Sequence, residues 1–157
     1  MNIATTCNSW SLEHHRLEEE KRWVTDLRFK AKKDSGEWIS TQIRLDDFLG
    51  NDDGNFNYSL RYPARNVTSS MSNPRLEVTR DGRPILHGRL TTRDAYGHDR
   101  SLDLSTILWN RDGRISLNED VARAEDEKRR EQARQKLLEK ARRNPQLMER
   151  LKRQGRL

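Results

Sequence analysis

The chain has 157 residues, enough for one ordinary domain and a further segment, because single hydrophobic cores commonly need about 100 to 150 residues. Only 32% of the residues are hydrophobic and 36% are charged, which excludes a second independent core. The formal charge of +6 is unevenly distributed, since residues 128–157 carry 12 Lys or Arg against 3 Glu. The positive charge therefore belongs to the C-terminal tail, and the preceding residues are slightly acidic.

Nothing in the sequence indicates a membrane or secretory segment. No stretch approaches the roughly 20 apolar residues that span a bilayer, and the first residues lack a basic segment followed by an apolar run. Cys7 is the only cysteine, so an internal disulfide cannot form. These features predict a protein of the reducing cytoplasm.

The first predicted element is a short helix from Trp10 to Arg22. Ser9 or Ser11 could cap this helix, and its acidic residues suit the positive end of the helix dipole. We therefore predict that residues 1–22 form an N-terminal segment that contains a short helix.

Residues 23–117 alternate between apolar and polar positions in short runs, a pattern typical of half-buried strands. Asp34-Ser35-Gly36 has turn chemistry between the first two runs, and Tyr58 to Tyr62 predicts a third. Asp81-Gly82 and Asp112-Gly113 each separate two further runs, and Asp-Gly in that position is a strong hairpin signal. The pattern predicts six or seven short strands joined by hairpins.

Sequential hairpins without long crossover helices favour an antiparallel sheet. The predicted fold class is α+β and mainly β, with residues 23–117 forming a small antiparallel barrel or sandwich. An OB-like or other partly open barrel suits the length, and the sequence leaves the topology open. The sequence shows no evident internal repeat.

Residues 118–157 are predicted to form a basic helical tail. Asn118 is a good N-cap, and a long charged helix follows from Val121 to Arg143. Nothing apolar occurs between Glu125 and Gln132, so the middle of the helix is expected to lie in solvent, which disfavours a coiled coil.

A second helix is predicted after the long one. Asn144 and Pro145 provide a cap and a favourable first residue. Leu147, Met148 and Leu151 then form one apolar stripe, which predicts a surface that docks on a partner.

The sequence offers no catalytic constellation, metal site or cofactor motif. His14 and His15 precede Glu18 and Glu19 by one helical turn, but a third ligand in fixed geometry is missing. The loop of residues 46–57 is rich in oxygen ligands, yet its spacing does not match a calcium-binding loop. We therefore expect no enzymatic activity, no cofactor and no metal.

The basic tail predicts a nucleic-acid-associated accessory protein, because Lys and Arg that neutralise phosphates release counterions and give salt-sensitive affinity. Aromatic rings beside arginines near the third predicted strand could add base stacking. The predicted contacts with DNA or RNA are Lys128, Arg129, Arg130, Arg134, Lys136, Lys140, Arg142, Arg143, Tyr58, Arg61 and Arg65.

Two other interpretations fit the same tail. In the first, the protein is an adaptor or inhibitor whose helices dock on an acidic or grooved partner protein through Leu147, Met148 and Leu151. In the second, the protein is a structural subunit of a larger assembly. The sequence does not distinguish DNA, RNA and protein as partners, and it leaves the oligomeric state open.

Overall fold

A computed structural model describes residues 1–60 and 65–156 of the chain. Within these residues the chain forms three α-helices and ten β-strands, interrupted by three short 3-10 helices. The elements are α1 (Ile3–Thr6), β1 (Cys7–Leu17), β2 (Arg22–Lys32), β3 (Trp38–Arg44), β4 (Gly50–Asp52), β5 (Asn55–Asn57), β6 (Met71–Val78), β7 (Pro84–Thr91), β8 (Gly97–Asp103), β9 (Leu108–Arg111), β10 (Arg114–Leu117), α2 (Glu119–Arg142) and α3 (Pro145–Arg153). The 3-10 helices are Leu45–Asp47, Val67–Ser70 and Leu104–Thr106.

All strand pairing in the described residues is antiparallel, which confirms the predicted mainly β class. The strands form two three-stranded sheets, β1-β2-β3 and β6-β7-β8, and two hairpins, β4-β5 and β9-β10. A closed barrel or sandwich is not confirmed, because the four sheets remain open and separate. They share one core, in which large apolar residues from both halves are fully buried.

The two halves of the body repeat one arrangement, so the expectation of no internal repeat is wrong. Each half contains a three-stranded sheet, a 3-10 helix and a hairpin, in that order. From β2 onwards, equivalent residues lie 59 positions apart, as Leu27 and Leu86 do. Both of these side chains are fully buried. The repeat is hidden in the sequence because burial is kept while identity is not; Phe29, for example, corresponds to Gly88.

The two halves are joined by hairpins that cross over. The side-chain amide of Asn110, in β9, donates to the carbonyl of Lys32 in the first half at 2.9 Å. The equivalent Asn51, in β4, donates to the carbonyl of Thr91 in the second half at 2.7 Å. Each hairpin therefore packs on the sheet of the opposite half, and neither half completes its core alone.

The predicted helix from Trp10 to Arg22 is wrong, because this region is strand β1 and the turn after it. β1 pairs with β2 along its length, with His14 opposite Thr25. The Trp10 ring packs on Phe29 of β2 with ring centroids 4.6 Å apart. Cross-strand packing of this kind overrides a weak local helical preference.

The region around the third predicted strand also differs from expectation. Tyr58 and Leu60 lie outside any strand, and Tyr62 lies outside the described residues. The predicted loop of residues 46–57 instead contains the β4-β5 hairpin, which turns at Asp53 and Gly54. Both of these residues have a positive φ, a conformation that favours Gly and Asp in tight turns.

Both predicted C-terminal helices are present. The Asn118 carboxamide oxygen accepts a hydrogen bond from Asp120 N at 3.1 Å, and the Asn144 carboxamide oxygen accepts one from Leu147 N at 3.2 Å. These bonds satisfy backbone donors that a helix start leaves unpaired. No helix among the described residues has the length and apolar character needed to cross a membrane.

The lone cysteine lies in the shared core. Cys7 is buried, and burial raises the pKa of its thiol from 9.0 to about 11. Because the thiolate is the reactive form, we expect the folded protein at pH 8 to react with a thiol reagent far more slowly than the unfolded chain. Absorbance of the released thionitrobenzoate, with and without guanidinium chloride, measures this difference. Equal rates in the two conditions would contradict the buried placement.

Candidate functional site

Arg129, a predicted phosphate contact, forms ion pairs with other residues of the chain. Its guanidinium forms ion pairs with Asp52 of β4 and with Glu125 one turn earlier, the latter at 3.1 Å. Its side chain is only 19% exposed. Arg129 therefore fixes α2 to the β4-β5 hairpin and is poorly placed to meet an external phosphate.

A second contact lies one turn before Arg129. The Ser59 hydroxyl is hydrogen-bonded to the Asp126 carboxylate, and Ala122 is fully buried on the same side of the helix. The expectation that the middle of α2 lies in solvent is therefore wrong for the turns up to Arg129. The contact is made by polar groups, so no apolar period marks it in the sequence.

Tyr58 is not free to form the stacking platform that was predicted together with Arg61 and Arg65. Tyr58 is half-buried and packs against the core. Burial raises the pKa of its phenol, and the charge of Glu125 adds to the shift. Arg65 is exposed, while Arg61 lies outside the described residues. Tyr58 is thus a packing residue of the seam between α2 and the body.

The other predicted cations of the tail lie on the exposed surface of α2 and at its C-terminal cap. Arg143 pairs with Glu139 at 2.8 Å. The remaining ones form no ion pair with any described residue; they are Lys128, Arg130, Arg134, Lys136, Lys140 and Arg142.

The predicted docking stripe on α3 is partly covered by contacts with α2. α3 packs back against α2, and Leu151 of α3 and Ala141 near the end of α2 are both buried. Leu147 and Met148 are half-buried. The stripe therefore closes a helical hairpin, which leaves less apolar surface for a partner protein.

The crossing hairpins create two equivalent ends of the body. At the first, which we call the tryptophan end, the turn of residues 33–38 meets the hairpin segment 109–114. Asp34 N donates to the Asp112 carboxylate at 3.0 Å, which joins the two segments. Two large rings are exposed here: Trp38 is 43% and Trp109 is 40% exposed. The Lys32 ammonium lies 5.9 Å from the centre of the Trp38 ring.

The opposite end, which we call the helix end, joins the turn of residues 92–97 to the hairpin segment 50–55. Arg93 N donates to the Asp53 carboxylate at 2.9 Å, the counterpart of the bond between Asp34 and Asp112. The positions equivalent to Trp38 and Trp109 are occupied here by Gly97 and Gly50. The two ends thus share a backbone and differ in their side chains.

The tryptophan end has the chemistry of a binding site for a ring-shaped polar ligand. An indole face packs against the apolar C–H face of such a ligand, while the carboxylate of Asp112 and the cations of Lys33 and Arg111 can exchange hydrogen bonds with hydroxyls. Among the described residues, none of the site residues predicted from the sequence lies at this end. Its signal was two tryptophans in short, otherwise polar hairpins, but only the crossing of the hairpins brings the two segments together.

The described residues show no arrangement suited to metal binding. No three His, Cys, Asp or Glu side chains among them are placed to hold a metal ion. His14 instead stacks on Trp23, with ring centroids 4.9 Å apart, and hydrogen-bonds to Thr25 at 3.2 Å.

The fold and the tryptophan end define a small β domain with a surface suited to binding. Residues 4–116 match the CVNH domain family, and this chain belongs to that family. The match ends beside the last residue of β10, so α2 and α3 lie outside it. A curated relative, the cyanovirin-N homolog of Neurospora crassa, is 30% identical over 91 residues, which are 57% of this chain and 78% of the relative.

Solved structures share the fold. A designed cyanovirin-N homolog lectin has a TM-score of 0.59 and 25% identity, over 75% of this chain and 100% of the lectin. Microvirin, solved with mannobiose, has a TM-score of 0.55 and 22% identity, over 74% of this chain and 98% of microvirin. A MoCVNH3 variant solved with (N-GlcNAc)4 has a TM-score of 0.55 and 16% identity, over 74% of this chain and 97% of that variant.

These findings contradict the function predicted from the basic tail. A designed cyanovirin-N homolog is a lectin and microvirin was solved with mannobiose, and this chain belongs to the same family, so the predicted nucleic-acid function and the predicted DNA or RNA partner are wrong. The adaptor and assembly alternatives rested on the same tail and are not retained. The prediction was wrong because it was based on the charge of the tail. The residues that match the family lie in the body, where the sequence pattern is weak.

Proposed function

We propose that this protein is a carbohydrate-binding protein that recognises oligosaccharides non-covalently. The observation that carries the proposal is membership of the CVNH family over residues 4–116. A designed member of the fold is a lectin, and two further proteins of the fold were solved with mannobiose and (N-GlcNAc)4. Mannose-containing and GlcNAc-containing oligosaccharides are accordingly the first ligands to test.

The tryptophan end is the proposed site. Trp38 and Trp109 expose aromatic surface there without being needed to fill the core. The bond between Asp34 N and Asp112 holds the turn and the hairpin together, so the surface is organised before a ligand arrives. Such preorganisation limits the entropy lost on binding, which favours recognition of a flexible oligosaccharide.

The proposed activity is binding without chemical change. The sequence offers no nucleophile with a positioned base, and the tryptophan end presents its rings, its cations and the carboxylates of Asp34, Glu37 and Asp112 on an open surface. Open surfaces of this kind suit recognition, whereas catalysis of glycoside cleavage requires two carboxyl groups flanking the scissile bond at a fixed separation.

Trp109→Ala is expected to weaken oligosaccharide binding by about tenfold, equivalent to about 1.4 kcal/mol, because an aromatic platform is lost while the backbone of β9 is kept. Titration calorimetry with mannobiose and with a GlcNAc tetramer measures the change.

Trp23→Ala is the matched control. Trp23 is also exposed, but it lies near the start of β2, roughly 30 Å along the strand from the turn of residues 33–38. Its replacement is expected to leave sugar affinity within about twofold, since no contact with the site is lost. Equal losses in the two variants would contradict the placement of the site, and no binding of any neutral oligosaccharide by the unaltered protein would contradict the proposed function.

A further inference from the structure

We infer that the protein also binds glycans that carry anionic groups, through the basic face of its helical hairpin. The basic hairpin is defined as residues 130–153, the part of α2 beyond Arg129 together with α3. This inference rests on the proposed carbohydrate function and extends it from neutral sugars to sulfated, carboxylated or phosphorylated glycans.

The basic hairpin is a dense and largely unpaired source of positive charge. Residues 130–153 carry 9 Lys or Arg against 3 Glu. Among the described residues, ion pairs occupy only two of its arginines, Arg143 and Arg153. The other cations of α2 and α3 face solvent, and such a cluster attracts a polyanion from a distance.

The contacts of α2 with the body fix the direction of this charge. Ala122, Asp126 and Arg129 lie on one helix face and touch the body in succession. Asp126 meets Ser59, just beyond the end of β5, and Arg129 meets Asp52, beside the turn of the same hairpin. The helix therefore runs along the β4-β5 hairpin towards the helix end of the body.

Beyond Arg129 the same helix face continues without a body beneath it. A spacing of three or four residues keeps side chains on one face, and Lys136 and Lys140 follow Arg129 by seven and eleven residues. At 1.5 Å per residue they lie roughly 10 and 16 Å further along the axis. Both are exposed. They form a basic overhang, defined as Lys136 and Lys140, directed past the helix end.

The neighbouring helix end carries both signs of charge. Asp53 and Asp94 are exposed there, whereas Asp52 is ion-paired with Arg129 and Asp99 lies 3.5 Å from Arg89. Arg93 and Arg100 lie on the same end, where the Arg100 guanidinium donates to Asn55 at 3.1 Å. A glycan chain with spaced negative groups could thus contact the overhang and the helix end together. Its negative groups would meet the lysines and arginines, and its hydroxyls would hydrogen-bond to the Asn and Asp side chains.

The test compares dextran sulfate and polygalacturonate with neutral dextran of matched length, using the full chain and biolayer interferometry at several salt concentrations. Mannobiose reports the tryptophan end in parallel. Lys136→Gln/Lys140→Gln is expected to weaken dextran sulfate binding by about tenfold and to lower the salt slope by about two, since two ionic contacts are lost.

The matched control is Arg130→Gln/Arg134→Gln, which removes the same charge from positions turned by about 120° around the helix. Its expected loss is about twofold to threefold, because only the general field is reduced. Asp52→Asn provides a second control: it makes the protein more positive but removes the partner of Arg129. Weaker dextran sulfate binding by this variant supports the oriented overhang, whereas stronger binding contradicts it.

Other outcomes overturn the inference in distinguishable ways. Binding of mannobiose without binding of either acidic polymer rejects the anionic ligand and leaves the proposed function intact. Equal losses from the two double variants reject the overhang. Duplex DNA that competes as well as dextran sulfate at about 150 mM salt shows a general polyanion effect and also rejects the inference.

Discussion

Asp46→Ala is expected to destabilise the fold by about 3 to 5 kcal/mol, because it removes a buried acceptor that serves several donors. Asp46 is only 2% exposed. Its carboxylate accepts hydrogen bonds from Thr25 N at 2.9 Å, from Thr68 N at 2.9 Å and from the Thr68 hydroxyl at 2.7 Å. Alanine leaves two buried backbone N–H groups without this acceptor and opens a cavity between β2 and the 3-10 helix Val67–Ser70.

The neighbouring Asp47 is the natural control. It belongs to the same short 3-10 helix but is exposed, so Asp47→Ala is expected to change stability by less than about 0.5 kcal/mol. Chemical denaturation followed by tryptophan fluorescence gives both free energies of unfolding. A loss below about 1 kcal/mol for Asp46→Ala would show that water or other groups replace the lost acceptor.

Local turn chemistry explains what the sequence predicted well. Gly36, Gly82 and Gly113 all have positive φ at the turns where a hairpin was predicted. A tight turn demands this conformation whatever lies around it, and glycine adopts it without steric cost. The Asn118 and Asn144 caps could be predicted for the same reason. In each case an asparagine side chain accepts a hydrogen bond from a backbone N–H group two or three residues later in the chain.

Strand β1 was misread because its pairing partner is decided by tertiary structure. The segment from Trp10 to Leu17 has charged residues at spacings that suit a helix, and its alternation is weak. In the fold, Trp10 and Leu12 pack against the core. The alternation of apolar and polar residues in β1 matches a buried and an exposed face only when β2 is paired with it. The local sequence does not show that pairing.

The proposed site and the placement of α2 depend on contacts between distant parts of the chain. Asp112 meets Asp34, and Asp52 meets Arg129, both across more than 70 residues. In the sequence these residues resemble ordinary surface charges. The crossing of the two hairpins would have been predictable only from the repeat, whose spacing survives in Asn51 and Asn110 although most identities have changed.

The two asparagines allow that crossing to be tested directly. Asn110→Ala is expected to destabilise the fold by about 2 to 4 kcal/mol, since the side chain is 1% exposed and both of its polar ends are used. Its amide donates to Lys32 O at 2.9 Å, and its oxygen accepts from Gly113 N at 2.8 Å. One residue thus holds the tip of its own hairpin and the sheet of the other half.

Asn51→Ala removes the equivalent pair of bonds, to Thr91 O at 2.7 Å and from Gly54 N at 2.8 Å, and is expected to cost about half as much. The reason for the difference is exposure: Asn51 is half-buried, so water can satisfy the groups that alanine leaves behind. Thermal unfolding of the two variants, measured by circular dichroism under one condition, compares the crossings. A larger loss for Asn51→Ala would show that the helix end, with α2 docked beside it, is the more tightly held of the two ends.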